Sequence, residues 1–387
     1  MRPCDALLAA LPKAPKYEYD WAALNGDPAL RRLTEAMAVT PQDPEWHGEG
    51  DVWTHTQRVC RALTELEAFR AMDAGSREVL SLAALLHDIG KIRCTRPENS
   101  RLVSPRHGPV GARMARSLLW RDLGLCGDLR RQRLREAVCL LIKYHTRPPH
   151  FMEDTETTLL RLASNGDLTP RFTLKALCLL AEADRLGSVA ADNPEMLERI
   201  ELGRELCREA GCYEGPYPFA SSHTRRRLFA GGAVWKDQDL YDDTWGEVIL
   251  LCGLPGTGKD TWCQSVHPGL PTVSLDDLRR ELDVDPGDEQ GRVVQATRER
   301  AREYLRARQP FIWNATSLTG LRSQQIELFE QYHARARIVF LETDWSENLR
   351  RNANRARAVP EAVVSRMLDR LEPPERWEAH EVNWICV

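Results

Sequence analysis

The sequence has no apolar run approaching the length of a membrane span, no CxxC pair among its eleven cysteines, and no strong excess of either charge. The first absence argues against a spanning helix, and the apolar stretch in MRPCDALLAALPKAPK is too short for a secretory signal. The second, with an odd number of scattered cysteines, speaks against a disulfide framework or a zinc knuckle. Reduced thiols in a cytoplasm are the expectation. A net charge of −4 excludes a wholesale nucleic-acid coat but leaves room for local basic channels where Arg clusters. What is present is 387 residues, 42% hydrophobic and 28% charged, an ordinary soluble composition with enough chain for two cores.

The most informative stretch is Gly253–Thr261, GLPGTGKDT. It follows the apolar run Glu247–Cys252, which reads as a buried parallel strand, and leads into Trp262–Val266, which can be helical. Strand, glycine-rich turn and helix form the context of a P-loop. Gly253, Gly256 and Gly258 permit a tight turn whose N–H groups, with those of Thr257, Asp260 and Thr261, cradle phosphate at the positive end of a helix. Lys259 reaches the β- and γ-phosphates of ATP or another NTP, carried with Mg2+. Asp260 stands where Ser or Thr normally offers magnesium a hydroxyl; a carboxylate also holds magnesium but adds negative charge near the phosphates.

From Gly50 to about Gly211 the pattern is helical, with no convincing strand. Helices at Ser81–Leu86, Glu136–Tyr144 and Thr173–Ala183 end at His87-Asp88, His145 and Asp184. With His55 in HTxxV and His107 in HGPVGARM, these residues form a series His55, His87, Asp88, His107, His145 and Asp184. Imidazoles and carboxylates together suit one or two borderline divalent transition metals such as manganese, iron, cobalt, nickel or zinc. His47, His150, His267, His333 and His380 read as ordinary solvated histidines.

That series resembles the HD phosphohydrolase superfamily over nearly all of residues 50–190, and His87–Arg116 looks especially like the HD domain attached to bacterial tRNA nucleotidyltransferases. The resemblance implies one metal on His55, His87, Asp88 and Asp184, with Asp88 bridging to a second on His107 and His145. It implies that Lys91 steadies a substrate phosphate. A two-metal site supplies hydroxide at neutral pH and neutralises charge on phosphate oxygens, as hydrolysis of a phosphomonoester or cyclic phosphodiester requires.

Between Cys212 and Trp245 the helical period is lost, and the stretch reads as a connector with some structure of its own. Its Arg225–Arg227 run suggests a solvated basic face, or contact with a nucleic-acid backbone. Beyond the P-loop, strands at Thr272–Leu275, Phe311–Trp313 and Ala336–Leu341 alternate with helices, which means a parallel sheet flanked on both faces. Asp276 and Arg279, one turn apart, share a face beside the phosphate site, where a carboxylate can accept the proton of an attacking hydroxyl. Arg351 and Arg355, at i and i+4, can close over the triphosphate.

Residues 247–372 resemble phage polynucleotide kinase in the GxPGxGKxTW loop, the DDxR element at Asp276–Arg279 and the RRNxxR…AVP lid at Arg350–Pro360. The likeness implies that Lys259 binds donor phosphates, Asp276 is the general base, Arg279 holds the acceptor phosphate, and Arg351 and Arg355 belong to the lid. Asn314 departs from that pattern, which has Asp after the third strand. The chain thus divides into an all-α HD-type domain over 1–211, a connector over 212–245 and an α/β P-loop kinase domain over 246–387. The combination is similar to the bacterial HD-Pnk family of end-healing enzymes. That similarity implies removal of 2′,3′-cyclic, 2′- or 3′-phosphates, phosphorylation of 5′-OH ends of RNA or DNA, and coupling to an RNA ligase. Residue chemistry alone leaves a nucleotide-metabolism enzyme, with HD nucleotidase and small-molecule kinase activities, as the alternative.

Overall fold

The computed structural model describes residues 3–285, 288, 290–315, 319–355 and 357–387. Thr316–Leu318, in the run after Asn314, and Ala356, in the lid motif, lie outside the described residues. The chain separates into two compact units, residues 1–126 with 130–217, and residues 127–129 with 218–387.

The first unit is helical. Asp51 opens the helix Val52–Glu65 by accepting the Thr54 N–H at 2.9 Å, satisfying a donor the helix cannot pair internally. That helix packs against Ala74–Leu86 and Leu174–Gly187, whose apolar runs are buried throughout. The helix Leu129–Tyr144 starts seven residues earlier than its apolar face suggests, because its first turns are Arg-rich. Inside it Glu136 is fully buried and accepts from Arg116 Nε at 3.0 Å and Arg135 Nε at 2.9 Å. The strand-free expectation needs one correction. Strands β1 (Arg96–Glu98) and β2 (Arg101–Val103) pair as an antiparallel hairpin. Asn99 and Ser100 both have positive φ, at 50° and 62°, the conformation of a two-residue hairpin turn. Strands of only three residues leave no alternation to read.

The second unit is built on five parallel strands: β3 (Glu247–Cys252), β4 (Thr272–Ser274), β5 (Ile312–Asn314), β6 (Arg335–Glu342) and β7 (Glu381–Cys386), in the order β4-β5-β3-β6-β7. Ile249 and Leu251 of β3 meet Trp262, Ile312, Val339 and Leu341 in one buried cluster, holding the helix Lys259–Val266 against the sheet. The central strand is flanked by β5 and β6, so the loop at its carboxyl end sits where the strand order reverses, the place such sheets bind ligands.

Within the stretch read as connector, Ser222–Phe229 is a helix capped by Ser221, whose Oγ accepts the Thr224 N–H at 3.0 Å. Here both readings of the arginine run fail for two of its members. Arg225 and Arg226 are buried, Arg225 donating to the His380 carbonyl and Arg226 to Glu330 at 2.8 Å and the Trp377 carbonyl at 3.0 Å. Arg227 alone is exposed. Their partners lie more than a hundred residues away, so local sequence cannot show that they are internal.

No helix among the described residues is long and apolar enough to cross a membrane.

Candidate metal centre and nucleotide site

Two close backbone approaches and one helix assemble the first site. A Cβ at Gly90 would lie 2.0 Å from the His107 carbonyl oxygen, so only glycine lets the turn after His87-Asp88 press on the start of the helix His107–Ser117. Gly108 in turn lies against the backbone of Lys143, which brings His107 to His145. Helix Leu174–Gly187 carries Asp184 to His55.

The resulting cluster has two halves joined by Asp88. On one side His55 Nε2 lies 3.2 Å from His87 Nε2, 3.0 Å from Asp184 Oδ1 and 3.5 Å from Asp88 Oδ2. On the other, His107 Nε2 and His145 Nε2 are 3.1 Å apart, and 3.4 and 3.7 Å from Asp88 Oδ1. His55, His87 and Asp88 form one group able to hold a metal ion, and Asp88, His107 and His145 another.

The donors decide what fits there. His87, His107 and His145 each point Nδ1 at a backbone carbonyl at 2.8 Å, those of Ala84, Ser104 and Ile142. A carbonyl only accepts, so Nδ1 carries the hydrogen, and in the rings that burial keeps neutral, His107 and His145, Nε2 is a bare lone pair. The lone pairs of His107 and His145 therefore face each other, with Asp88 Oδ1 buried beside them and lacking any hydrogen-bond partner. Acceptors converging in a buried space without a donor fit a cation, and the carbonyls behind the rings are the outer partners of metal-bound histidines.

The electrostatics agree at Asp88, Asp184, His107 and His145, while at His55 the surrounding carboxylates favour the protonated ring. Burial acts to raise the Asp88 and Asp184 carboxyls, yet Lys91 and His87 around the first, and His55 and His87 around the second, hold both well below the usual carboxylate range. Burial pushes His145 down to about 3, and it lowers His107 as well. For His55 burial also acts downward, but Asp184 and Glu49 prevail and raise it to about 9.

Lys91 Nζ lies 2.7 Å from Asp88 Oδ2, 2.6 Å from Gln42 Oε1 and 3.2 Å from His47 Nε2. His47 is thus no ordinary solvated histidine. Its Nδ1 sits 2.9 Å from Glu49 Oε1, the oxygen that also takes His55 Nδ1 at 2.7 Å. Gln42, His47 and Glu49 were not expected in the site. The available signal was the short distance in sequence from HGEG to the His55 helix. His380 is also buried, accepting the Ala336 N–H on Nδ1 at 3.2 Å, while His150 and His333 are exposed.

The second site lies at the carboxyl end of β3. Gly253, Gly256 and Gly258 have φ of 150°, 87° and 83°. A Cβ at Gly256 would lie 2.5 Å from the Asn348 carbonyl oxygen, so the loop and the helix Trp345–Ala353 touch through glycine. Asn348 Nδ2 donates to the Pro255 carbonyl at 2.9 Å, tying the two together. Thr257 is buried and donates its hydroxyl to the Leu254 carbonyl at 2.8 Å, while Thr261 is exposed in the following helix. Lys259 Nζ donates to the carbonyls of Gly253 and Leu254, 2.9 Å each, folded over the loop. Burial brings it down to about 8; Asp260 and Asp276 act upward on it and Arg355 downward.

Asp276 is exposed and paired with Arg279 Nη1 at 2.6 Å, and Arg279 Nε donates to Gln290 at 2.7 Å. Arg351 pairs with Glu347 at 2.6 Å and passes 3.5 Å from the position a Gly258 Cβ would take, which places it over the loop. Arg355 is exposed. The two expected departures from the phage-type pattern touch each other, Asn314 Nδ2 donating to Asp260 Oδ1 at 2.7 Å.

Two family models match the chain, the HD domain over residues 52–188 and an AAA domain over 248–374. No curated protein matches it. Among solved structures it is similar to a proposed kinase from Chloroflexus aurantiacus, with 18% identity, 37% of this chain and 86% of that one covered, and a TM-score of 0.31. It is also similar to a gluconokinase from Sinorhizobium meliloti, with 22% identity, 37% and 84% covered, and a TM-score of 0.29. The chain thus carries a match to the HD domain over its His/Asp cluster, followed by a match to an AAA domain over the P-loop and its parallel sheet. Such domains use divalent metals in the first case and a nucleotide with Mg2+ in the second.

Proposed function

We propose that the protein heals broken RNA ends: the HD site removes 2′,3′-cyclic, 2′- or 3′-phosphates, and the P-loop site phosphorylates 5′-OH ends from ATP or another NTP. The observation that carries this reading is the union in one chain of a buried two-lobed His/Asp cluster and a P-loop with a base–arginine pair beside it. RNA cut by transesterification leaves a cyclic phosphate on one side and a hydroxyl on the other. One lobe of chemistry suits each end, and the product ends are those a ligase joins.

In the HD site, divalent ions held by the six His/Asp residues supply a nucleophilic hydroxide and charge neutralisation when bound. The chain's own contribution is to keep Asp88 ionised between the lobes and to hold Lys91 at the Asp88 edge, where its ammonium meets a substrate phosphate. In the kinase site Lys259 leaves the Gly253 and Leu254 carbonyls for the β- and γ-phosphates. Asp276 accepts the proton of the attacking 5′-hydroxyl, oriented by Arg279, which also faces the acceptor phosphate. Arg351 and Arg355 offset charge on the transferred phosphoryl from the loop's outer side.

The test is an oligoribonucleotide with a 5′-OH, mixed with free nucleoside and γ-labelled ATP. Label entering the oligonucleotide supports the reading. Label entering nucleoside alone, with release of phosphate from free nucleotides at the HD site, supports the nucleotide-metabolism enzyme instead.

A further inference from the structure

P-loop proteins commonly hold the nucleotide's magnesium with a hydroxyl on the loop, one residue after the lysine, and a carboxylate on a neighbouring strand. Here the residue after Lys259 is Asp260, and the end of the neighbouring strand β5 carries Asn314. Asn314 is in register with Leu251 of β3 and with Ser274 of β4, whose Oγ accepts the Asp276 N–H at 3.2 Å. Loop, base and Asn314 therefore share one edge of the sheet. Asn314 Nδ2 and Asp260 Oδ1 are 2.7 Å apart. A carboxylate only accepts, so the amide must turn its NH2 to Asp260. Among the described residues no side chain takes Asp260 Oδ2.

We propose that Asp260 and Asn314 are an exchanged pair: the carboxylate that receives the nucleotide's magnesium has moved from the strand to the loop, and Asn314 orients it as a positioning residue. The site keeps one carboxylate in either arrangement, and this inference rests on the P-loop being a nucleotide site. Its consequence differs from that of a hydroxyl-bearing loop. Asp260 stands next to Lys259, so metal-free triphosphate meets a like charge at the cradle itself, and magnesium converts that repulsion into a bridge. The site therefore selects the metal–nucleotide complex over free nucleotide.

The full-length protein is titrated with a fluorescent, non-hydrolysable ATP analogue, with magnesium present and with magnesium withheld. Wild type is expected to bind roughly tenfold more tightly with magnesium, as a single charge contact at an exposed side chain implies. Asp260→Ser should cut that ratio to a few-fold, by improving metal-free binding as well as weakening metal-bound binding. The double variant Asp260→Ser/Asn314→Asp should restore it, because the carboxylate then returns to the strand. An Asp260→Ser ratio equal to wild type, or a double variant no better than the single, overturns the exchange. Wild type that binds no analogue in either condition overturns the nucleotide reading itself, a distinct outcome. Asp260→Asn, which preserves shape, gives the same comparison if the serine variant does not fold, as judged by its thermal melt.

Discussion

Glu49 is the residue whose removal tests the metal centre from behind. Its carboxylate is almost wholly buried and takes three donors: His55 Nδ1 at 2.7 Å, His47 Nδ1 at 2.9 Å, and the Val189 N–H at 2.8 Å. Burial acts to raise its pKa, but those partners hold the carboxyl well below the usual range, so it stays ionised through all working pH and its bonds are lost only in strong acid. An ionised carboxylate on Nδ1 fixes the His55 tautomer with Nε2 turned to Asp184 and Asp88, and makes that nitrogen a better ligand. In Glu49→Gln one end becomes an NH2 facing a donor. At least one charge-assisted bond is lost, at about 1.5–3 kcal/mol. Loss of such an outer partner typically weakens metal binding by about 10–100-fold, equivalent to about 1.4–2.8 kcal/mol. Competition of the purified protein against a chromogenic chelator measures this directly. The expected result is weaker metal retention with kinase activity intact; an affinity within about twofold of wild type would refute the argument that Glu49 orients His55.

Asp88→Ala should abolish phosphate removal and leave 5′-phosphorylation, and Lys259→Ala should do the reverse, each measured on the same oligonucleotide; loss of both in either variant would contradict separate sites. Gly90→Ala places a methyl 2.0 Å from the His107 carbonyl oxygen, so the turn and helix must part; a lower melting temperature, by about 1–3 kcal/mol of stability, and weaker metal retention are expected together. Lys259, with its pKa brought down to about 8 by burial, should bind nucleotide less well as pH rises past 8, falling about fivefold from pH 8 to 9 if only its charged form binds. The sign for stability is opposite: the unfolded lysine keeps its proton longer, so the cost of burying this charge lessens between about pH 8 and the ordinary 10.5. Lys259→Arg should flatten the binding profile.

The His/Asp series and the phosphate loop were legible in the sequence because each member sits in a local pattern. His87-Asp88 and the glycines from 253 to 258 are set by a turn of chain, and their neighbours announce the strand or helix that holds them. Gln42, His47 and Glu49 were hidden because they sit in irregular backbone and gain meaning only from Lys91 and His55. Arg225 and Arg226 read as surface charge for the same kind of reason, since Glu330, Trp377 and His380 reach them from the far end of the unit. Strand β7 drew no expectation; it is a six-residue edge in which only Val382 and Trp384 are buried. The contact between Asp260 and Asn314 shows the limit most plainly. Each departure was visible alone, and that they touch each other appears only when β5 is laid beside β3.

The most direct measurement uses one oligoribonucleotide bearing a 5′-OH and a 2′,3′-cyclic phosphate, incubated with the protein, ATP and a series of divalent metals, with both ends identified by mass. Conversion of the cyclic end to a hydroxyl and the 5′-OH to a 5′-phosphate is the expected result. Oligonucleotide ends left unchanged under every metal, while free nucleotides or nucleosides are turned over, would contradict it.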